Sequence, residues 1–222
     1  SRIMRQDAPV ESLDDSDATR IMEGVVQEIV PRVQNELFLS SFRYRHVSNS
    51  LGSTLKRSAQ VFLEHAKRGK FRPIAVEVPF GLGGAIPPLT LNIDGSHEVL
   101  VRGLIDRIDA AELDDRIFFR IVDYKSGHNK LDLNDVYYGL SMQLLVYLGV
   151  TLSLWKEIVN SPYLLSPLDT QGLVTKGVFK NVVPAGAFYM PIRDPFIETE
   201  GPCERELVVK EIQKELKMTG IL

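Results

Sequence analysis

The stretch Arg116–Gly127 reads Arg-Ile-Phe-Phe-Arg-Ile-Val-Asp-Tyr-Lys-Ser-Gly. Its β-branched and aromatic residues favour a strand that stops at the final Ser-Gly pair. Because side chains alternate across a strand, Asp123 and Lys125 point to one face and Tyr124 to the other. A carboxylate and an ammonium at the end of an apolar strand are costly to bury unless each is paired. By itself, this pattern indicates a structural ion pair more often than a site for chemistry.

The preceding strand supplies a second carboxylate. Residues Val101–Asp109 read Val-Arg-Gly-Leu-Ile-Asp-Arg-Ile-Asp, and antiparallel neighbours present adjacent side chains on each face. If Asp106 shares a face with Asp123, the two carboxylates meet with Lys125 alongside, and they repel unless a cation lies between them. Hard oxygen ligands at a site open to solvent favour Mg²⁺ or Mn²⁺, with water in the remaining positions. We therefore predict Asp106 and Asp123 as metal ligands.

A site of this kind has a definite chemistry. A metal held there can activate water and stabilise the charge on a phosphodiester under attack. Lys125 would orient or deprotonate that water, or neutralise the developing negative charge. Asp109 falls on the face opposite Asp106 by the two-residue period, so we do not predict it as a ligand. Arg107 and Arg120 are predicted as structural partners for acids.

A glutamine and a tyrosine follow one helix later. Gln143 and Tyr147 are four residues apart, which places them on one helix face. If that face packs toward the strand end, the amide and the phenol suit hydrogen bonding within the site or contact with a substrate phosphate. The alternative, which is favoured for Tyr147 taken in isolation, is a core tyrosine whose hydroxyl lies at the edge of the core.

Length and composition are those of a soluble globular protein. The 222 residues can bury one good core, and the net charge is -3. No apolar run reaches the roughly 18 residues that a membrane span needs, and no signal peptide opens the sequence. The single cysteine, Cys203, excludes an internal disulfide framework and an all-cysteine metal site. A reducing, cytoplasmic setting without membrane contact is expected.

Charge is distributed unevenly along the sequence. Between Ser40 and Arg72 there are eight basic residues against the single acid Glu64, whereas Asp7–Asp17 holds five acids and no base. A local basic surface on an acidic protein suits a phosphate-backbone binder. The alternative, a solvated helix face, explains the charges equally well.

The order of elements predicts an α/β fold with a mixed central sheet flanked by helices. An N-terminal helical, partly basic segment (1–70) packs on a core (71–222). The helix after the Asp-Tyr-Lys strand is expected to cross over and bring the Ala185 strand beside it. We predict helices at 17–33, capped by Ser16 or Asp17 and kinked at Pro31, and at 44–67, 134–156 and 204–218. Three or four of the strands at 71–80, 89–93, 99–110 and 116–125 form a meander, followed by a strand at 185–192.

Three motifs together resemble the RecB-type branch of the PD-(D/E)xK nucleases, whose core is restriction-endonuclease-like. They are Gly-Leu-Ile-Asp-Arg-Ile-Asp (Gly103–Asp109), Val-Asp-Tyr-Lys-Ser-Gly (Val122–Gly127) and Gln-x-x-x-Tyr (Gln143–Tyr147). Each motif alone is weak, but three in register are specific. Further stretches narrow the resemblance to the nuclease domain in the B subunit of AddAB helicase–nucleases, which are ATP-dependent deoxyribonucleases; these are Gln34–Glu36, Leu39–Ser41, Arg43–Arg45, Tyr137–Leu140 and Lys217–Gly220.

The resemblance implies a role for each matching residue. Asp106 and Asp123 match the metal-binding carboxylates, Lys125 the catalytic lysine, and Gln143 with Tyr147 the third motif. Glu77 stands where related nucleases often carry an acid, although a strand-edge glutamate is at least as good an explanation. The family resects broken DNA ends for recombinational repair, so an Mg²⁺- or Mn²⁺-dependent deoxyribonuclease acting on single-stranded ends beside an AddA-type partner is implied.

The resemblance also implies features that this sequence lacks. RecB-like nucleases carry a histidine on an earlier helix, but neither His46 nor His65 lies in a matching context. AddB-type domains hold an iron–sulfur cluster through four cysteines, and the lone Cys203 matches none of that spacing. We expect an excised core, without the helicase-like region before it and the cysteine-bearing tail after it, that is weakly active or inactive. The alternatives are a catalytically silent module for DNA binding and a subunit-docking domain.

Overall fold

The protein is built on a mixed five-stranded sheet. The structure is a computed structural model that describes residues 12–33, 41–114, 116–127, 131–165, 181–198, 201–202 and 204–222. Within these residues the strands are β1 (Arg72–Phe80), β2 (Leu89–Asn92), β3 (Glu98–Val101), β4 (Gly103–Leu113), β5 (Arg116–Lys125), β6 (Val182–Pro191) and β7 (Thr219–Ile221). The sheet has the order β1-β4-β5-β6-β7, and only β5 and β6 are parallel.

Helices cover both faces of this sheet. They are α1 (Asp15–Ile29), α2 (Phe42–Arg68), α3 (Leu133–Tyr137), α4 (Gln143–Ser153), α5 (Trp155–Val159) and α6 (Arg205–Glu215), and a short 3₁₀ helix, Val30–Arg32, follows α1. The predicted α/β class, the N-terminal helices and the parallel crossover from β5 to β6 are confirmed. Across the described residues, no helix is both long and apolar enough to span a lipid bilayer.

Each face of the sheet has its own core. On one face, α4 and α5 pack on the sheet through Leu144, Val150 and Ile158, which are at most 1% exposed. On the other face, α1 and α2 pack through a smaller cluster that includes Phe62 and Leu63. Because the two apolar faces are buried separately, the polar residues at the strand ends lie between two rigid layers.

The predicted meander is wrong in its first part. β1 pairs directly with β4, from Phe80 opposite Gly103 to Arg72 opposite Ala110, and β2 pairs only with β3. The predicted strand at 99–110 is interrupted at Arg102, so β2 and β3 form a hairpin outside the main sheet. This hairpin is largely exposed, and only Leu89 and Val101 at its base pack against the core.

The continuous helix predicted over 134–156 is also wrong. Gly139 adopts a φ of +73°, which ends α3, and the Asp135 carbonyl accepts hydrogen bonds from the amides of Leu140 and Ser141. The chain therefore turns before α4, and Gln143 becomes the first residue of its own helix. The strand β7 was not predicted, since three residues carry too little periodic signal.

Two details of the N-terminal helices differ from prediction. Asp14, and not Ser16 or Asp17, caps α1, because its side chain accepts hydrogen bonds from both of their amides. In α2 the buried apolar side chains belong to the C-terminal half, whereas Val47 is 40% exposed and Leu51 49%. The predicted motif residues Gln34–Glu36 and Leu39–Ser40, as well as Cys203, lie outside the described residues.

Candidate active site

The candidate site lies where β4 and β5 separate. Their pairing runs from Leu113 opposite Arg116 to Arg107 opposite Val122. Beyond that pair, β4 continues against β1 and β5 continues against β6. In this fork the Asp106 carboxylate accepts a hydrogen bond from the Tyr124 backbone amide, Oδ2 to N 2.8 Å. Asp106 thereby replaces a missing strand partner and is held at the strand ends.

Asp123, Lys125 and Gln143 form a closed hydrogen-bonded group, the strand-end cluster. Asp123 Oδ1 accepts a hydrogen bond from Gln143 Nε2 at 2.9 Å, and Asp123 Oδ2 lies 2.6 Å from Lys125 Nζ. Lys125 Nζ also donates to Gln143 Oε1 at 2.7 Å. The first residue of α4 thus fixes the lysine and the carboxylate relative to each other.

Two tyrosines and a glycine shape the wall behind this cluster. The Tyr147 hydroxyl accepts a hydrogen bond from Gln143 Nε2 at 3.1 Å, while its ring packs edge-on against Phe80 with centroids 6.0 Å apart. A Cβ at Gly103 would lie 3.0 Å from the Phe80 ring, so this position requires glycine or a shift of the aromatic pair. The Tyr189 ring lies 5.2 Å from Lys125 Nζ, a cation–π distance.

Tyr147 therefore has both roles that its sequence position left open, because it is 9% exposed in the core and hydrogen-bonds the cluster. Tyr189 was missed by sequence reasoning. Its position follows from the register that pairs it with Asp123 across β5 and β6. The expectation of a parallel neighbour for β5 was available from the sequence, whereas this register was not.

The electrostatics of the site favour a cation. Burial raises the pKa of Asp123, and the nearby negative charge of Asp106 raises it further, while the adjacent Lys125 ammonium acts in the opposite direction. Asp123 Oδ2 is buried and accepts no well-aligned hydrogen bond, although it lies close to the lysine ammonium. Two interacting carboxylates with one incompletely satisfied oxygen fit a hard divalent cation.

The donor set nevertheless remains small. No group of three or more His, Cys, Asp or Glu side chains suited to a metal ion occurs among the described residues. Asp106 and Asp123 are thus the available protein ligands, and water would complete the shell, as is common for Mg²⁺. His46 is exposed on the first half of α2, and His65 lines a different cleft near α6, so neither stands at these carboxylates.

Glu77 is the acid nearest in register to Asp106. It falls between the pairs Val76–Arg107 and Val78–Ile105, which places it opposite Asp106 across β1 and β4. Its φ is +52°, a strained conformation for a non-glycine residue. Glu77 and Asp106 line one end of a cleft of about 430 Å³, whose other walls are mainly apolar side chains of α1, α2, β1 and β6.

The remaining charged residues of the two strands form a separate buried ion cluster. Arg107 and Asp109 are each 1% exposed, and Arg107 Nε lies 2.8 Å from Asp109 Oδ1. Arg120 Nε donates to Asp109 Oδ2 at 2.9 Å, and Arg107 Nη1 donates to the Tyr124 hydroxyl at 2.8 Å. Arg107 also lies over the Phe62 ring of α2 at 4.8 Å. Asp109 thus lies on the α2 face and pairs with Arg107 and Arg120, the two arginines predicted as partners of acids. That Asp109 lies on the face opposite Asp106 stays a prediction.

Comparison with known proteins places this geometry in a family. The profile of the PD-(D/E)XK nuclease superfamily matches residues 2–218. The B subunit of an ATP-dependent helicase/deoxyribonuclease from Moorella thermoacetica is 38% identical over 95% of the chain, and the one from Listeria innocua is 35% identical over 95%. The protein of the same name from Bacillus anthracis is 34% identical over 100% of the chain.

These matches cover only part of the relatives. The chain corresponds to 17% or 18% of their length, about a sixth. The match nevertheless extends from before α1 to the residue that precedes β7, and it includes the fork between β4 and β5. The chain belongs to the PD-(D/E)XK nuclease superfamily.

Proposed function

We propose that this chain is a metal-dependent deoxyribonuclease module that hydrolyses phosphodiester bonds at the fork between β4 and β5. The observation that carries the proposal is the strand-end cluster, in which Lys125 Nζ contacts both Asp123 Oδ2 and Gln143 Oε1 beside the Asp106 carboxylate. Mg²⁺ or Mn²⁺ bound there supplies Lewis-acid stabilisation and lowers the pKa of bound water. Asp106 and Asp123 are the residues that would hold it.

Lys125 has the geometry for work on the reacting phosphate. Its ammonium is held by two acceptors, Asp123 and Gln143, and an ammonium has three N–H donors. The remaining N–H can donate to a water or to a phosphoryl oxygen, where the positive charge offsets the negative charge that develops. The hydrogen bond to Tyr147 keeps the Gln143 side-chain amide oriented. The amide oxygen in turn holds Lys125, so the lysine does not need to reorganise during the reaction.

We propose further that the module belongs to a helicase–nuclease that processes broken DNA ends for recombinational repair as an exonuclease on single-stranded ends. The support is the name shared by the relatives, each the B subunit of an ATP-dependent helicase/deoxyribonuclease. On that basis the partner is an AddA-type protein, and the setting is the cytoplasm.

The test is degradation of end-labelled single-stranded DNA by the purified chain with Mg²⁺, with Mn²⁺ and with EDTA. Cleavage is expected with either metal and not with EDTA. Lys125→Ala and Asp106→Ala should abolish it, whereas Lys156→Ala, an exposed lysine on α5, should leave it unchanged. If Lys125→Ala and Asp106→Ala both cleaved DNA at the wild-type rate, these residues could not be the catalytic lysine and a metal ligand.

A catalytically silent DNA-binding or docking module is the second candidate. It is favoured by the 2.6 Å Asp123–Lys125 contact, which already pairs the two charges without a metal, and by the small donor set among the described residues. Titration with Mn²⁺ discriminates between the two functions, because a simple ion pair takes up no stoichiometric metal. Saturable uptake that Asp106→Ala and Asp123→Asn abolish supports the nuclease.

A further inference from the structure

A second cleft, between α2 and α6, is lined mainly by basic side chains. Its volume is about 270 Å³, and its walls come from the C-terminal half of α2 and from α6 with the residues that follow it. The lining includes a single carboxylate, Glu64, against five basic or titratable cationic groups: His65, Arg68, Lys210, Lys214 and Lys217. We name this the α2–α6 cleft.

The charges of this cleft are only partly paired. Arg68 pairs with Glu64 at 3.1 Å, and Lys214 pairs with Glu211 at 2.5 Å. Within the described part of the chain, Lys210 and Lys217 form no ion pair. The cleft therefore carries an excess of positive charge, although the whole chain is at -3. A net cationic cleft concentrates anions.

A second source of positive charge lies beneath the cleft. In the buried ion cluster, two arginines share the one carboxylate of Asp109. Burial lowers the pKa of His65, and the positive charges of Arg120, Arg107 and Arg68 lower it further. His65 Nδ1 is buried without a hydrogen-bond partner. Glu64 raises the pKa of His65 to a smaller extent, so the three arginines leave a net positive field at the floor of the cleft.

The position and spacing of the cleft suit a nucleic-acid strand. Lys210 and Lys214 lie four residues apart on α6, about 6 Å at a helical rise of 1.5 Å per residue, and Lys217 follows the end of the helix. The distance between the first two lysines corresponds to about two phosphates of a stacked strand at 3.4 Å each. Along α2, residues 55–62 line the candidate active-site cleft and residues 61–68 line the α2–α6 cleft, so the two clefts are about 9 Å apart along the helix.

We propose that the α2–α6 cleft binds the phosphodiester backbone of the DNA strand that the candidate active site cleaves. The proposal rests on the proposed function for the identity of its ligand. Lys210 and Lys217 supply the unpaired ammonium groups that contact phosphates, and Arg68 and Lys214 add to the field. Contacts of this kind hold a strand without reading its sequence.

The test compares two double variants that each remove two positive charges. Lys210→Gln with Lys217→Gln removes the unpaired lysines of the cleft, and Arg116→Gln with Lys156→Gln removes two exposed charges that line neither cleft. Binding of a fluorescein-labelled oligothymidylate is measured by anisotropy in EDTA, between about 50 and 200 mM salt. Each phosphate contact contributes about 0.7 to the slope of log affinity against log salt for a single strand.

The cleft variant should bind about 10-fold or more weakly than wild type near 0.1 M salt, and its slope should be shallower by about 1.4, whereas the control should match wild type. Equal behaviour of the two double variants would overturn the proposal. In NMR titrations, the oligonucleotide should raise the pKa of the His65 ring in the wild type and not in the cleft variant. An unchanged His65 titration in the wild type would also overturn it.

Competition and cleavage separate the remaining outcomes. Polyglutamate at equal charge should displace the oligonucleotide poorly; displacement as effective as that by unlabelled DNA would assign the cleft to an acidic protein partner and overturn the proposal. Cleavage is scored in separate reactions with Mn²⁺. A chain that cleaves DNA but binds it equally in both double variants loses only this inference. A chain that binds through Lys210 and Lys217 without cleaving loses only the proposed nuclease activity.

Discussion

The strands β4 and β5 carry two carboxylate–cation groups that differ in almost every physical respect. In the buried ion cluster, Asp109 is 1% exposed and contacts two arginines, each of which lies over an aromatic ring. In the strand-end cluster, Lys125 is 21% exposed, and Asp123 has an oxygen without a well-aligned hydrogen bond. Each carboxylate has one oxygen that lies near a cation without a well-aligned hydrogen bond, so the two groups differ in exposure. Arg107 is closed off from solvent, whereas water or a ligand can reach Lys125.

The balance of charge differs as well. The buried ion cluster has two arginines and one carboxylate, while Asp106, Asp123 and Lys125 amount to two carboxylates and one ammonium. The fork between the two strands is therefore negative, and the paired region around Asp109 is positive. The negative fork suits a metal ion, and the positive region lies against the α2–α6 cleft, where a phosphate backbone would be attracted. On the proposed function, the fork is the site of chemistry and the buried ion cluster is structural.

The largest expected effect separates the two groups by activity. Asp123→Asn keeps the shape of the side chain but removes the charge of a proposed metal ligand, so the rate of DNA cleavage should fall by at least about 10³-fold. The measurement is the initial rate on single-stranded DNA with Mn²⁺. Asp109→Asn is the matched control, since it changes the same atoms in the other cluster. A larger loss of rate in folded Asp109→Asn than in Asp123→Asn would contradict the assignment.

For the free energy of unfolding, the order of the two variants should be the reverse. Asp109→Asn leaves Arg107, which is 1% exposed, with an uncompensated charge, and such losses cost about 3–5 kcal/mol of unfolding free energy. Asp123→Asn leaves Lys125 partly hydrated and still bonded to the Gln143 oxygen, so its cost should be below about 1.5 kcal/mol. Urea unfolding followed by circular dichroism measures both. Equal costs would mean that both clusters are structural.

Much of this comparison could be foreseen from the sequence. The alternation in β5 predicted that Asp123 and Lys125 share a face, and they contact each other. Arg107 and Arg120 were predicted as partners of acids, and both pair with Asp109. The crossover rule predicted that β6 lies parallel to β5. These features follow from local periodicity and chain handedness, which a single sequence expresses directly.

Other features depend on tertiary contacts that a sequence does not express. The fork between β4 and β5 arises because β4 continues against β1 and β5 against β6, which depends on the packing of the whole sheet. The break before α4 needs the left-handed conformation of Gly139, and glycine alone did not reveal it within an apolar periodic stretch. The half-exposed α2 was missed because periodicity does not show where a partner layer ends.

A smaller loss of activity is expected when the hydrogen bonds that position Lys125 are removed. Gln143→Leu removes the two hydrogen bonds by which the glutamine amide holds Lys125 and Asp123. The loss of such supporting contacts should cost about 10–100-fold in activity or metal affinity. Tyr147→Phe removes only the hydroxyl that accepts from Gln143 and keeps the ring against Phe80, so its loss should be under about 10-fold. Rates measured at saturating Mn²⁺ separate the loss of lysine positioning from weaker metal binding. Equal rates in both variants and wild type would show that the cluster does not position Lys125.

The smallest expected effect is a pH dependence of the unfolding free energy caused by His65, which lies near the buried ion cluster. Burial and the surrounding arginines lower the pKa of His65 in the folded protein below its ordinary value of 6.5. The unfolded chain therefore binds more protons than the folded one between the lowered pKa and about 6.5, and stability falls as the pH drops through that window. Urea midpoints of wild type and His65→Gln, compared between neutral pH and about pH 5, should converge if this proton is responsible, because the variant lacks the titrating group. A wild-type stability that falls no more steeply than that of His65→Gln would show that the positive field of the buried ion cluster does not reach the α2–α6 cleft.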